Sequence, residues 1–332
     1  MSVAKPFKIY GMGKALPKME VLSTELEKEL GLPAGYIEKY SGVRKRYRAE
    51  DESNSSLGAA ALHQALQHAK ISAKELGYLI SASATFDYPL PNRASAIKKQ
   101  MEDGEKTHFP CLDIDTTCLS FVSALDIAAG FLHPVHCKYV AIVSSEIASK
   151  GLNPKDVETY TLFGDAAVAC IIGVTEKPEQ GLIHYQLQTY SEGAELTMIK
   201  GGGNRYHPKE HPYQTDLYSF FMQGRQLLKL AKRSLPSFME QFWKDSTCSL
   251  HEVDAIIPHQ ASKAGLILLQ DITQGHKPTI GSNLAAYGNC IAASIPLLLM
   301  EMREQGNVQE GSTVLLIGTA AGFSIGAALI RL

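Results

Sequence analysis

Cys118 stands in "DIDTTCLSFVSALDIAAGFL", directly after two threonines and before a long apolar run. That is where a helix begins. Thr116 or Thr117 can cap it and leave the thiol in its first turn. Free N–H groups and the helix dipole favour a thiolate there, so the spacing predicts a thiol pKa below its ordinary value. Phe121, Val122, Leu125, Ala128, Ala129 and Leu132 make the helix apolar on most faces, which predicts burial. Such a cysteine is either a nucleophile on a rigid platform or a small buried filler, and both readings are open on these residues alone.

Two further residues have the chemistry a nucleophile needs beside it. "IIPHQASKAG" puts His259 just after a buried strand and a proline, at a strand end where open α/β sheets bind ligands. Other histidines, such as His63, His68 and His207, read as surface residues. "AYGNCIAASIP" places Asn289 after a Tyr-Gly turn, where an amide can polarise a carbonyl, cap the next helix, or do both. The nearest approach to a metal cluster is "HPVHC" (His133, His136, Cys137), and a turn beyond a helix C-terminus explains it, so no metal is expected.

These residues need a frame. Short β-branched runs at 77–84, 138–146, 168–173, 254–260, 312–320 and 324–332 read as strands. Helices are expected at 56–69, capped by Ser55 or Ser56, at 221–243, and after Cys118 and Asn289. The alternation predicts an α/β class with buried sheets. The landmarks recur: 61 residues separate Leu79 from Val140, and 59 separate Ile256 from Leu315. We therefore expect two duplicated βα halves, 1–175 carrying the cysteine and 176–332 carrying the histidine and asparagine. The junction falls near "GVTEKPEQG", and the helix starts at Cys118 and Asn289 are expected to be equivalent across a pseudo-dyad. "LTMIKGGGNRYHPKEHPYQTD" (196–216) reads as a surface excursion.

Composition narrows the function. The chain has 332 residues and a formal net charge of -2, with no basic excess for nucleic acid. No apolar run is long enough to span a membrane and no secretory signal is visible, so a cytoplasmic location is expected. The six cysteines include no C-x-x-C and are expected to be reduced.

Taken together, "TTCLSFVSALDIA", "FGDAAVACII", "PHQASKAG" and "YGNCIAASIP" resemble the thiolase superfamily, and most nearly β-ketoacyl-acyl carrier protein synthase III. The likeness runs from "IYGMGKALP" to "GFSIGAALIRL". It implies a layered α-β-α-β-α fold and a homodimer. It also implies a Cys118–His259–Asn289 triad, with an oxyanion hole from the N–H groups of Cys118 and Ala321. By the same likeness Cys118 takes an acyl group from acyl-coenzyme A or an acyl carrier. His259 and Asn289 then hold a malonyl thioester during decarboxylation, giving a β-ketoacyl product. No tightly bound cofactor is implied; acyl-coenzyme A is a substrate, and an acyl carrier protein is a candidate partner.

Substrate contacts implied by the match are Tyr36, Leu90, Phe163, Met222, Gly224, Ser262 and Thr319. Several depart from the family pattern. Tyr36 replaces a tryptophan, Ser262 and Ala264 replace an asparagine and an arginine, Leu90 replaces a bulky aromatic, and Thr319 replaces an aromatic. Two other readings of the same residues stand beside condensation. One is acyl transfer to an O, N or S acceptor without loss of carbon dioxide. The other is a non-catalytic partner subunit.

Overall fold

The computed structural model describes residues 3–273 and 278–332. Its first sheet is built from β1 (Lys8–Ala15), β2 (Leu76–Ala82), β3 (Cys111–Ile114), β4 (Tyr139–Glu146) and β5 (Ala166–Gly173), in the order β1-β5-β4-β2-β3. Its second holds β6 (Gly181–Thr189), β7 (Ala255–Pro258), β8 (Thr279–Ile280), β9 (Thr313–Ala320) and β10 (Ser324–Arg331), in the order β6-β10-β9-β7-β8. The two-residue strand Lys5–Pro6 adds to the outer edge of β6. In both sheets the first three strands run antiparallel and the last two pairings are parallel. Position by position, the two topologies are the same, which is the duplication expected from the spacing. The connection through 174–180 carries the chain from one sheet to the other.

Strand alternation with both faces buried explains the layers. Ile80, Ala82, Val140 and Ile142 face inward, while Leu79, Ala141 and Val143 face outward. The inner layer between the sheets is filled by α4 (Ser120–Phe131) and α7 (Ser294–Glu304). Outside the first sheet lie α2 (Asn54–Ala69) and α3 (Arg93–Gln100), preceded in sequence by α1 (Tyr36–Ser41). Outside the second sheet lie α5 (Gly224–Asp245) and α6 (Lys263–Ile272). This is the expected α-β-α-β-α arrangement. Gly11 and Gly13 let β1 press on α2: a Cβ at either would fall 2.4 Å from a carbonyl oxygen, of Ala65 or Ala61.

Element ends differ modestly from expectation. Helix α2 starts two residues early because Ser53, not Ser55 or Ser56, accepts the Ser56 N–H as its cap. Phe221–Met222 form a short strand with Thr197–Met198 rather than the start of α5. The region between them lies outside the two main sheets. Among the described residues no helix is long and apolar enough to cross a membrane.

Candidate active site

Each half opens its inner helix with the same turn. In the first half, Asp115 Oδ1 accepts the Thr117 N–H at 2.9 Å and Ser120 Oγ accepts the Thr116 N–H at 3.1 Å. In the second, Asn289 Oδ1 accepts the Ile291 N–H at 2.9 Å and Ser294 Oγ accepts the Cys290 N–H at 3.0 Å. Thr117 and Ile291 both adopt left-handed backbone, with φ of 50° and 48°, a costly conformation for β-branched residues. Both open 3-10 turns, Thr117–Leu119 and Ile291–Ala293. One offset of 174 residues (291 − 117) relates the turns, and it also carries β4 onto β9. The expected equivalence of Cys118 with Asn289 is therefore corrected: Asn289 matches Asp115, and Cys118 matches Ala292.

The turns are crossed between halves. The Cys118 turn packs on β9, the Ile291 turn packs on β4, and the two turns pack on each other. Crossing brings the C-terminal end of β9 to the cysteine. Thr117 Oγ1 donates to the Ala321 carbonyl at 3.4 Å, and the N–H groups of Ala321 and of Cys118 itself lie near enough to the sulfur to favour its thiolate.

No threonine side chain caps this turn, and the thiol is not lowered as expected. Burial pushes it up to about 12, and the negative charge of Glu146 pushes the same way. The two N–H groups act against this and lose. Cys118 keeps partial surface exposure as a residue, yet the desolvation of its sulfur outweighs the helix-end field. In the free protein it is a neutral thiol.

His259 follows β7 and is 5 % exposed. Its main-chain N–H donates to the Ile317 carbonyl at 2.8 Å, tying it to β9. Burial lowers its imidazole to about 4, so the ring is neutral at physiological pH. Among the described residues its Nδ1 has no hydrogen-bond partner. Gly318 makes room for it: a Cβ there would sit 2.6 Å from His259 Cβ and 3.3 Å from Leu119 Cδ2. That one glycine thus touches both the histidine and the residue beside Cys118.

Asn289 is held at both ends of its amide. Its Oδ1 is occupied by Ile291, and its Nδ2 donates at 3.3 Å to the carbonyl of Ala261, two residues past His259. One N–H of Nδ2 is left to donate elsewhere. Between them lies Gln260, wholly buried. Its Oε1 accepts from Ser282 Oγ, the Asn283 N–H and the Leu284 N–H at 3.0 to 3.2 Å, and its Nε2 donates to the Pro258 carbonyl. Gln260 thereby clamps the histidine strand to the segment that leads to Asn289.

The remaining expected positions divide. Phe163 is buried, bridges to Asn289 and meets Phe220 edge-on at 4.9 Å. With Met222, Leu266 and Ile291 it belongs to one apolar band. Thr319 is half-buried on β9, and Gly224 starts α5 where a Cβ would fall 2.6 Å from Glu158 Oε1. Ser262 caps α6, and its neighbour Lys263 reaches the Lys39 carbonyl on α1, the helix that Tyr36 begins. Leu90 stands apart, 86 % exposed on the loop between β2 and α3. At "HPVHC", His133 Nδ1 accepts the N–H groups of Val135 and His136.

Sequence reading missed the part played by Gln260 and passed over Glu146. The latter is fully buried at the end of β4, held by the Ala84 and Thr85 N–H groups and by Thr85 Oγ1. A charged residue closing an apolar strand was the available signal.

With this geometry in hand, comparison with known proteins is decisive. Family models of 3-oxoacyl-(acyl-carrier-protein) synthase III match residues 112–191, and its C-terminal model matches 244–332. A β-ketoacyl-(acyl-carrier-protein) synthase III of Clostridium tetani is 31 % identical, with 98 % of each chain covered. The chain belongs to this family. An acetoacetyl-CoA synthase of Streptomyces is 29 % identical, again over 98 % of both chains. The crystal structure of the synthase III of Aquifex aeolicus superposes with a TM-score of 0.86 at 28 % identity, covering 98 % of this chain and 100 % of that one. Membership of the synthase III family makes the protein an acyltransferase of the condensing type.

Proposed function

We propose that this synthase III relative condenses an acyl group with a malonyl thioester by a two-stage reaction at Cys118. The observation that carries the reading is the packing of the Cys118 turn on β9, which sets the N–H groups of Cys118 and Ala321, from opposite halves of the fold, beside the sulfur. Donors placed there stabilise the oxyanion of a tetrahedral intermediate. In the first stage the Cys118 sulfur attacks the thioester of an acyl-coenzyme A. The leaving thiol carries away the cysteine's proton, and an acyl-cysteine remains.

In the second stage a malonyl thioester places its carbonyl against His259 and Asn289. A neutral imidazole and an amide N–H suit this task, because charge develops on the carbonyl oxygen as carbon dioxide leaves. The depressed pKa of His259 fits a hydrogen-bond donor better than a general acid. The enolate carbon then attacks the acyl-cysteine.

The same reading assigns Phe163, Met222 and Thr319 to the acyl and pantetheine passage, Tyr36 and Ser262 to its mouth, and Gly224 to the start of the helix that borders it. Phe86, Tyr88 and Leu90, 51 %, 61 % and 86 % exposed, suit a loop that a second copy of the chain would cover. We assign Leu90 to the acyl end of the passage in such a homodimer. An acyl carrier protein or coenzyme A is the carrier of the extender, and the cytoplasm is the assigned location.

Intact-mass spectrometry after incubation with a panel of acyl-coenzyme A donors tests the first stage. An adduct on the wild type and none on Cys118→Ala is expected. Release of labelled carbon dioxide from malonyl-coenzyme A tests the second. An adduct without carbon dioxide would favour transfer to another acceptor, and no adduct with any donor would leave a non-catalytic subunit.

A further inference from the structure

The side chains that hold the two paired turns each have a second polar atom, and each needs a partner of its own. Asp115 and Asn289 both accept the main-chain N–H two residues on, of Thr117 and Ile291, at 2.9 Å. Beyond that bond their chemistries part. The other end of an amide is a donor, and Asn289 Nδ2 meets an acceptor, the Ala261 carbonyl at 3.3 Å. The other end of a carboxylate is an acceptor, and Asp115 Oδ2 meets a donor, Arg93 Nη2 at 2.9 Å. Each half supplies the opposite kind of group to fix the same turn.

Arg93 is built into the frame. Its side chain is 15 % exposed, against 42 % for Asp115. Nη1 donates to the Ser83 carbonyl, one residue past the end of β2. The main-chain N–H donates at 2.8 Å to Asp113 Oδ2 on β3, and Arg93 is the first residue of α3. The Phe86 ring lies against the guanidinium, its centroid 5.7 Å away. The planar fork is therefore already in place, and little side-chain freedom is lost when it pairs. That sets this pair apart from an ordinary exposed ion pair, whose gain is cancelled by ordering two loose side chains.

Asp115 needs such a partner because the residue it holds is strained. Thr117 is β-branched and left-handed, a state that persists only where the surroundings over-determine it. Three bonds do so. Asp115 Oδ1 accepts the Thr117 N–H, Ser120 Oγ donates to the Thr117 carbonyl at 2.7 Å, and Thr117 Oγ1 donates to the Ala321 carbonyl. Of Asp115, Thr117 and Ser120, Asp115 is the exposed one, so water competes most for its bond. The next amide along the chain is that of Cys118.

We propose that Arg93 is a positioning residue for the nucleophile: by fixing Asp115 it fixes the left-handed Thr117, and with it the direction of the Cys118 sulfur and N–H. The inference rests on the two-stage reading above. Neither Arg93 nor Asp115 touches the reacting atoms in this scheme, so their removal changes the rate and not the products.

A pair of substitutions separates this role from general scaffolding. Arg93→Met leaves the Asp115 carboxylate with one of its two bonds. Asp115→Asn sets an amide N–H against the guanidinium, donor against donor, so the amide must turn away from Arg93 or from Thr117. With both substitutions the conflict is gone, and the new amide can hold the Thr117 N–H as Asn289 holds that of Ile291.

Full-length wild type, the two single variants, the double variant and Arg93→Lys are compared. Rapid-quench mass spectrometry with acetyl- and octanoyl-coenzyme A gives the rate of acyl-cysteine formation. Hydrogen–deuterium exchange over 113–122 reports the Thr117 N–H. Arg93→Met should slow acylation by about tenfold, short of the ~100-fold that a full 1 Å displacement costs. Asp115→Asn should slow it at least as much. The double variant should recover to within about threefold of wild type, whereas two independent losses would multiply. Arg93→Lys should fall between Arg93→Met and wild type. Exchange should rise in each single variant and fall back in the double. The proposal is overturned if the two losses multiply, or if exchange in Arg93→Met and Asp115→Asn matches wild type. The exchange measurement needs no acyl donor. Faster exchange in the single variants, reversed in the double, with no adduct from any donor would uphold the positioning and refute the two-stage reading. If Arg93→Met does not fold, Asp115→Asn decides alone: wild-type exchange there removes the donor conflict and the proposal with it.

Discussion

Gly318→Ala is the most discriminating single substitution that the structure offers. The added methyl would lie 2.6 Å from His259 Cβ and 3.3 Å from Leu119 Cδ2. Carbon atoms rest ~3.5–4.0 Å apart, so His259 must retreat by roughly 1 Å while the flexible leucine needs to give only a few tenths. Overpacking of this kind costs about 1–3 kcal/mol of stability. Its chemical effect should be one-sided. The Cys118 turn is set by Asp115 and Ser120, which the new methyl does not touch. Acyl-cysteine formation should stay within about threefold of wild type, whereas a displacement of ~1 Å at the carbonyl-holding imidazole should slow condensation by about 100-fold. Rapid-quench mass spectrometry gives the first rate and labelled carbon dioxide release from pre-acylated enzyme gives the second. Wild-type condensation in the variant would refute the placement of His259 as the group that holds the extender. Equal loss of both rates would refute the separation of the two stages.

Other outcomes follow from the same packing. Held neutral by burial, His259 has a folded pKa of about 4 against an ordinary 6.5. The unfolded chain therefore binds the extra proton first, and stability is full above pH 6.5 and falls as pH drops towards 4. From pH 8 to pH 5 the loss is about 2 kcal/mol, and urea melts of His259→Gln should show that much less acid sensitivity. Gln260→Leu strands the buried Leu284 N–H and the buried Pro258 carbonyl, while the Asn283 N–H and the exposed Ser282 hydroxyl also lose their acceptor nearer the surface. At roughly 1–3 kcal/mol for each unsatisfied buried group, a fall of several kcal/mol in unfolding free energy is expected, and an unchanged midpoint would show the clamp to be dispensable. With its thiol near 12, Cys118 of the free protein should alkylate about 50-fold more slowly than a cysteine of pKa 9 at pH 7.5. A ~1000-fold smaller thiolate fraction is partly offset by the stronger nucleophile. A rate that levels off below pH 8 would instead mean that the helix end wins over burial.

The fold was legible because its signals are local. β-branched runs buried on both faces, near-equal spacings and small-residue strand ends each survive in the chain without reference to distant partners. The chemistry was legible in residue identity but not in environment. From "TTCLS" one reads a thiol at a helix start, and the helix-end field is the only influence that stretch reveals. What raises the pKa is desolvation by burial in the assembled fold and the charge of Glu146, neither of which that stretch displays. The same limit explains the misplaced dyad. Cys118 and Asn289 invite pairing because both are reactive, yet the operative correspondence runs through their backbones. Asp115 and Asn289 hold the same turn with the same oxygen, so one half kept a carboxylate there and the other an amide. The duplication thereby accounts for the asymmetry of the site. Cys118 takes the place that is Ala292 in the other half, and Asn289 is its counterpart of a turn-forming acid. At the end of β4 stands Glu146, where β9 ends in Ala320. Cysteine against alanine, amide against carboxylate and glutamate against alanine are thus three differences laid on one repeated frame, and the crossing of the turns between halves packs the cysteine turn and the asparagine turn against each other.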